Sequence, residues 1–181
     1  MAYQIISLSP DALLDAIESA IETLRYPSET DAILEVELIP ASEAGETFTG
    51  LDLEQLFYSE VDGLHPETME WAEANRIESN GTQRFFRDLP DVITTYPNNE
   101  FWVQEQYHRD QALYWRQLRD LFFDNLVHQR WFRIDLAEPF DARSDIYLVG
   151  RHLQIEMDSD TNEIRTQLLD WVLVKTFVIE T

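Results

Sequence analysis

Trp131-Phe132-Arg133-Ile134-Asp135-Leu136 is the stretch where the hydrophobic pattern changes from helical to extended. Phe132, Ile134 and Leu136 alternate with Arg133 and Asp135, as a strand with one buried face requires. Downstream, Ile146 to Val149 is a short apolar run, and Leu153, Ile155 and Met157 alternate again. Asp158 to Glu163 is polar and reads as a turn, with Ile164 onward as its hairpin partner. Trp171 to Ile179 is rich in β-branched and aromatic residues and is strongly strand-forming.

Upstream of residue 131 the reading is mostly helical. Ser9-Pro10-Asp11 supplies an N-cap, a proline at the first helical position and a first-turn acid. Leu13, Leu14, Ile17, Ile21 and Leu24 then recur at helical spacing opposite Asp11, Asp15, Glu18 and Glu22, which predicts an amphipathic helix to about Arg25. A turn follows over 26–31, then a strand from Ile33 to Ile39. After a loop from Pro40 to Gly50, Leu51 to Phe57 reads as a short helix and Pro66 to Arg76 as a polar one. Glu78 to Asn99 holds Asn-Gly and two prolines and has no regular period. Glu100 to His128 is the longest helical candidate, with Tyr107, Tyr114, Leu118, Leu121, Phe122 and Leu126 on its expected buried side. Helix, strand, helices and then several strands joined by short turns is the α+β pattern, an antiparallel sheet with helices packed on it. No linker divides the 181 residues, which read as one domain.

Charge narrows the function. Residues 1–75 contain 17 acidic residues against a single base, Arg25, and supply −16 of the formal net −22. Such a surface repels polyanions and speeds encounter with cationic partners. It therefore excludes nucleic acid and anionic membrane as partners and suits docking on something basic. Hydrophobic residues at 44% and aromatics at 12% are enough for a packed interior despite the charge. There is no cysteine, hence no disulfide and no thiolate metal site. With neither a signal-peptide pattern at Met1 to Ser9 nor a membrane-length apolar run, the expected location is cytoplasmic.

Enzymatic signatures are missing. The five glycines form neither G-x-x-x-x-G-K nor G-x-G-x-x-G, and no G-x-S-x-G occurs. His65, His108, His128 and His152 lack partners at metal-motif spacing and read as surface or half-buried side chains. Asp158-Ser159-Asp160-Thr161-Asn162 begins like a calcium loop, but Glu163 stands where the loop needs glycine and Leu169 where it needs glutamate. A polar hairpin turn is the simpler reading.

Leu24 to Val36, LRYPSETDAILEV, runs from a first helix through an S-E-x-D turn into a strand. Asp145 to Gly150, DIYLVG, the long helix entered at Trp102, and the final KTFVIET ending in Thr181 follow in order. Together these resemble the nuclease A inhibitor-like family, acidic proteins that block sugar-nonspecific nucleases. The resemblance implies a three-layer α/β/α sandwich with a mostly antiparallel sheet. It also implies a non-enzymatic inhibitor without a cofactor of its own, a DNA mimic that fills the basic, metal-containing cleft of a ββα-metal nuclease. By position, Thr181 would reach the nuclease's divalent metal, bridging to it only in the complex, Glu29 would engage catalytic basic residues, and Trp102 would contact the enzyme.

The chemistry is reasonable on its own terms. Hard divalent cations take oxygen ligands such as those of a threonine that closes a chain. A glutamate accepts paired hydrogen bonds from an arginine that otherwise holds phosphate. An aromatic side chain can anchor a contact. Glu29 can equally serve a turn, Thr181 can fray and Trp102 can be core. The chain departs from the family pattern by extra length, chiefly an insertion around 58–100. An acidic module of the same fold that binds another basic protein, and a carboxylate-dependent hydrolase, are the alternatives.

Overall fold

The structure, a computed structural model, describes residues 3–5, 7–26, 32–58, 77–79, 102–135 and 143–179. It consists of helices and an antiparallel sheet. Helix α1 spans Pro10–Ile21; Ser9 Oγ accepts from the Ala12 amide at 3.3 Å and caps it. Leu13, Ile17 and Ile21 are buried, and the acidic stripe of Asp11, Asp15, Glu18 and Glu22 is exposed, as the periodicity predicts. The helix stops earlier than expected. Arg25 leaves it because its guanidinium turns back, donating from Nη1 to Leu24 O at 2.6 Å and to Glu22 O at 3.2 Å. These bonds satisfy carbonyls near the helix end that would otherwise be orphaned. Arg25–Tyr26 (β2) instead pairs antiparallel with Ala32–Ile33 (β3).

β2 and β3 form a separate two-stranded sheet, and the main sheet contains Tyr3–Ile5 (β1), Glu35–Ile39 (β4), Ile77–Ser79 (β5), Leu126–Asp135 (β6), Arg143–Asp158 (β7) and Ile164–Ile179 (β8). Its order is β4-β8-β7-β6-β5, with β1 pairing the far half of β7, and every pairing is antiparallel. The separate apolar runs expected over 146–149 and 153–157 are one 16-residue strand, and β8 is equally long. These two strands form the spine of the molecule. In β8, Val172 and Val174 face one way, toward Leu13, Ile17, Trp115 and Leu118; Trp171 and Leu173 face the other, toward Phe48 and Leu53. Apolar side chains therefore cover both faces of the central strands, which explains why Trp171 to Val174 is continuously apolar rather than alternating.

Helix α2, Gly50–Leu53, continues into one π-helical turn over Glu54–Tyr58, where a short helix is expected. Asp52 Oδ2 accepts from both the Thr49 amide (2.6 Å) and the Thr49 hydroxyl (2.8 Å) and fixes its start. Helix α3 is Trp102–Asn125, shorter than the predicted 100–128 because Leu126 already belongs to β6. Of its expected buried side, Leu118, Phe122 and Leu126 are buried and Tyr114 and Leu121 partly so, and the departure is at Tyr107. Trp115, Leu118 and Phe122 are fully buried, whereas Tyr107 is 43% exposed. The cause is polar. Gln111 is buried because its Oε1 accepts from the Arg25 amide at 2.8 Å and its Nε2 donates to Thr23 O at 2.7 Å. At the far end Asn125 Oδ1 accepts from the Leu8 amide at 3.3 Å, so α1 and α3 run antiparallel.

The polar helix expected over 66–76 and the strand residue Leu136 lie outside the described residues. So does most of the insertion around 58–100, but Ile77–Ser79 within it pairs with Trp131 to Arg133. That stretch therefore extends the sheet by one strand.

Candidate functional site

Of the three residues singled out from sequence, Glu29 and Thr181 lie outside the described residues. Trp102 is the first residue of α3, as expected, and its side chain also lies outside them. The described flanks of Glu29 and Thr181 lie at one end of the sheet. The segment holding Glu29 is bracketed by the Tyr26–Ala32 pair, and Ile33 O accepts from Thr176 Oγ1 of β8 at 2.8 Å. Beyond Thr176 the strand continues to Ile179, which is level with Arg143, the first residue of β7. Tyr26 packs edge-on against Trp115 of α3 at 6.3 Å, and Trp102 stands thirteen residues earlier in that helix, about 20 Å away.

Two polar clusters occupy this end. On β4, Glu35 and Glu37 bracket Lys175, the one lysine of the chain, with Nζ at 3.3 Å and 2.5 Å from their carboxylates. Burial pulls the Lys175 pKa down, but the hydrogen bonds and charges of Glu37 and Glu35 outweigh it and hold the ammonium above its ordinary range. The amine stays charged and is over-compensated by two carboxylates, so β4 presents net negative charge.

The second cluster, buried at Tyr58, Asp145 and Tyr147 and exposed at Arg143, was not singled out from the sequence. Arg143, Asp145 and Tyr147 share a face of β7 by strand alternation. Arg143 Nε donates to Asp145 Oδ1 at 2.8 Å, and its guanidinium lies 4.6 Å from the centre of the Phe177 ring. The π turn delivers Tyr58 to the same carboxylate, donating to Oδ2 at 2.7 Å. The Tyr58 and Tyr147 hydroxyls are 2.6 Å apart. A phenol has one proton to give, and Tyr58 gives its own to Asp145; Tyr147 must therefore donate to Tyr58. Burial first, then the neighbouring Tyr147 and Asp145, pushes the Tyr58 pKa far above the ordinary phenol range. Burial and Asp145 do the same to Tyr147. Both phenols stay protonated across physiological pH, so the cluster is a fixed polar plug that locks the start of β7 to the 54–58 turn. The sequence carries only a local sign of it: Asp145 and Tyr147 stand two residues apart where the apolar run 146–149 begins.

Of the histidines read from sequence, His65 and the side chain of His108 lie outside the described residues, and His152 and the calcium-like segment occupy structural positions. His152 is buried rather than half-exposed, with Nε2 donating to Leu8 O at 3.0 Å. The calcium-like segment is a hairpin turn, as read. Asp158 is buried and its Oδ1 accepts from the Asp160 and Thr161 amides at 2.8 and 3.2 Å, so this oxygen is committed to the backbone. Among the described residues, no group of three His, Asp or Glu converges to hold a metal. No described helix is long and apolar enough to cross a membrane. No protein-family model matches the chain, and no curated protein matches its sequence.

Proposed function

We propose that this protein is an acidic inhibitor that occludes the basic, metal-containing active site of a sugar-nonspecific ββα-metal nuclease, and is not itself an enzyme. The observation that carries the reading is the one-sided charge: 17 carboxylates against one base in residues 1–75. Where these acids fall on α1 they form an exposed stripe, Asp11, Asp15, Glu18 and Glu22. The position of the flanks of Glu29 and Thr181 at one end of the sheet supports a single contact region for these two. In this reading Glu29 accepts from a catalytic arginine or lysine, Thr181 offers oxygen to the nuclease's divalent metal, and Trp102 anchors the contact. The fold is then a three-layer α/β/α sandwich. Helices α1 and α3 on one face of the sheet, and the segment carrying α2 on the other, are in keeping with it.

The test is titration of the full chain into a metal-dependent ββα nuclease while DNA hydrolysis is followed. Stoichiometric loss of activity is expected. Glu29→Gln should weaken inhibition roughly thirty-fold or more, mainly through faster dissociation, because it breaks a buried charged contact worth about 2 kcal/mol or more. Thr181→Ala should weaken it as well. Undiminished DNA hydrolysis with the inhibitor in molar excess would reject the reading and leave the acidic surface to another basic protein. Unchanged inhibition by both variants would remove Glu29 and Thr181 from the contact.

A further inference from the structure

At the end opposite the proposed nuclease contact, β1 covers the β7 side of the β7–β8 hairpin, whereas among the described residues no strand pairs with its β8 side. Strand β4 pairs with β8 only from Trp171 to Lys175, whereas β7 pairs with β8 on to Ile164. From Ile164 to Leu168 every residue of β8 is exposed, with Ile164 at 63% and Leu168 at 42%.

The direction of the backbone groups on this segment follows from two hydrogen bonds. The Asp158 amide donates across the turn to Glu163 O at 2.9 Å, so that pair is a hydrogen-bonded one. The Ile155 amide donates away from β8, to Ser7 Oγ at 2.9 Å. Antiparallel pairs alternate between bonded and non-bonded. The pairs Met157–Ile164, Ile155–Thr166 and Leu153–Leu168 are therefore the non-bonded ones. Ile164, Thr166 and Leu168 turn their N–H and C=O groups outward, away from β7, and their side chains share one face.

We propose that this edge pairs, antiparallel and about a two-fold axis at Thr166, with the same edge of a second copy of the chain. That register sets Thr166 against Thr166 of the second copy and Ile164 against Leu168 twice. It satisfies the outward groups with about six N–H···O bonds. Cross-strand aliphatic and Thr–Thr pairs are the favourable ones. The segment is self-complementary in this register, which favours a second copy as the occupant, and its charge tolerates one. Two molecules of net −22 repel over most of their surface, but Ile164 to Leu169 carries no carboxylate and a single charge, Arg165, which faces Glu156 of its own hairpin. In the same register Arg165 meets Gln167, so no like charges stand directly opposite within Ile164 to Leu168. Ile164 to Leu168 has no proline and no glycine, which normally blunt an open edge, and the extra residue that shifts the β7–β8 register falls just beyond it, between Leu168 and Trp171. The contact buries less than the ~1,200 Å² of a standard interface, so the dimer is weak and is strengthened by salt that screens the repulsion.

Sedimentation of the full chain across a concentration series, at low salt and at about 1 M salt, where the screening length is roughly 3 Å, tests this. A dimer that grows with concentration and with salt is expected. Thr166→Pro deletes an outward N–H without touching the β7 ladder and should abolish the dimer. Ile164→Glu places carboxylates in the seam, should do the same, and keeps the backbone intact should the proline disturb the hairpin. Amide exchange gives the register. Ile164, Thr166 and Leu168 should gain protection with rising concentration, while Arg165 and Gln167 are protected at all concentrations. A chain monomeric throughout at high salt, or a dimer that survives both variants, overturns the proposal. Neither result bears on nuclease inhibition, which belongs to the other end of the sheet.

Discussion

Gly150 sits mid-strand in β7, where a Cβ would stand 2.8 Å from Leu126 Cβ and 2.9 Å from its Cδ1. The crowding comes from the way α3 becomes β6. Gln129 Nε2 donates to Phe122 O and Leu126 O at 3.0 and 2.9 Å and draws the first residues of the strand over β7. His128, with φ of 53°, takes the left-handed conformation that lets the register shift between Val127 and Arg130. Gly150→Ala should therefore cost about 1–3 kcal/mol, as overpacking of a tight interior does. The check is a lower urea midpoint at unchanged m value. An unchanged midpoint would mean that Leu126 moves aside freely.

At the scale of elements, the segment leading into α1 is stitched to β7 and α3 by polar bonds at three points. These are His152 to Leu8 O, the Ile155 amide to Ser7 Oγ and the Leu8 amide to Asn125 Oδ1. Burial lowers the pKa of His152, and the Leu8 bond raises it by less, so the folded ring favours its neutral form. The unfolded chain takes up this proton at about pH 6.5. Between that value and the lower folded value the unfolded state binds more protons, so stability rises with pH. It is lost as pH falls below about 6.5 and levels off only beneath the folded pKa. The urea midpoint should thus fall from about pH 7.5 to about pH 5.5. The fall should be smaller for His152→Gln, which keeps a donor for Leu8 O but cannot titrate. Equal falls in both proteins would place the titration elsewhere.

For the whole molecule, the net charge of −22 acts at a distance that no single contact reaches. If it steers docking on a basic cleft, the association rate with the nuclease should drop by roughly tenfold or more as salt is raised from low to moderate, with a smaller change in dissociation. Stopped-flow binding across a salt series measures this. A salt-independent association rate would reduce the acidic field to a solubility device. The same salt series should strengthen pairing of two copies through β8, because it screens repulsion there and attraction at the nuclease. The two contacts respond with opposite signs and can be separated in one set of conditions.

The amino-acid sequence determined the kinds of element and much of their order. Ser9-Pro10 starts a helix, Leu13 to Ile21 gives it a buried side, and the change of period after residue 131 announces strands, because these signals act over a few neighbouring residues. Local signals also sufficed for the turn at Asp158, whose side chain bonds amides close in the chain. What the tertiary structure alone decided depends on distant partners. Arg25 leaves its helix for Ala32–Ile33. Gln111, not Tyr107, is buried on α3 because Thr23 and Arg25 receive it. Tyr58 meets Asp145 and Tyr147 only when the sheet brings them together. The open edge of β8 was equally hidden, since a strand shows which of its residues can be buried but not where its neighbour stops. Pairing of β4 ends at Trp171, and that boundary leaves Ile164 to Leu168 facing solvent.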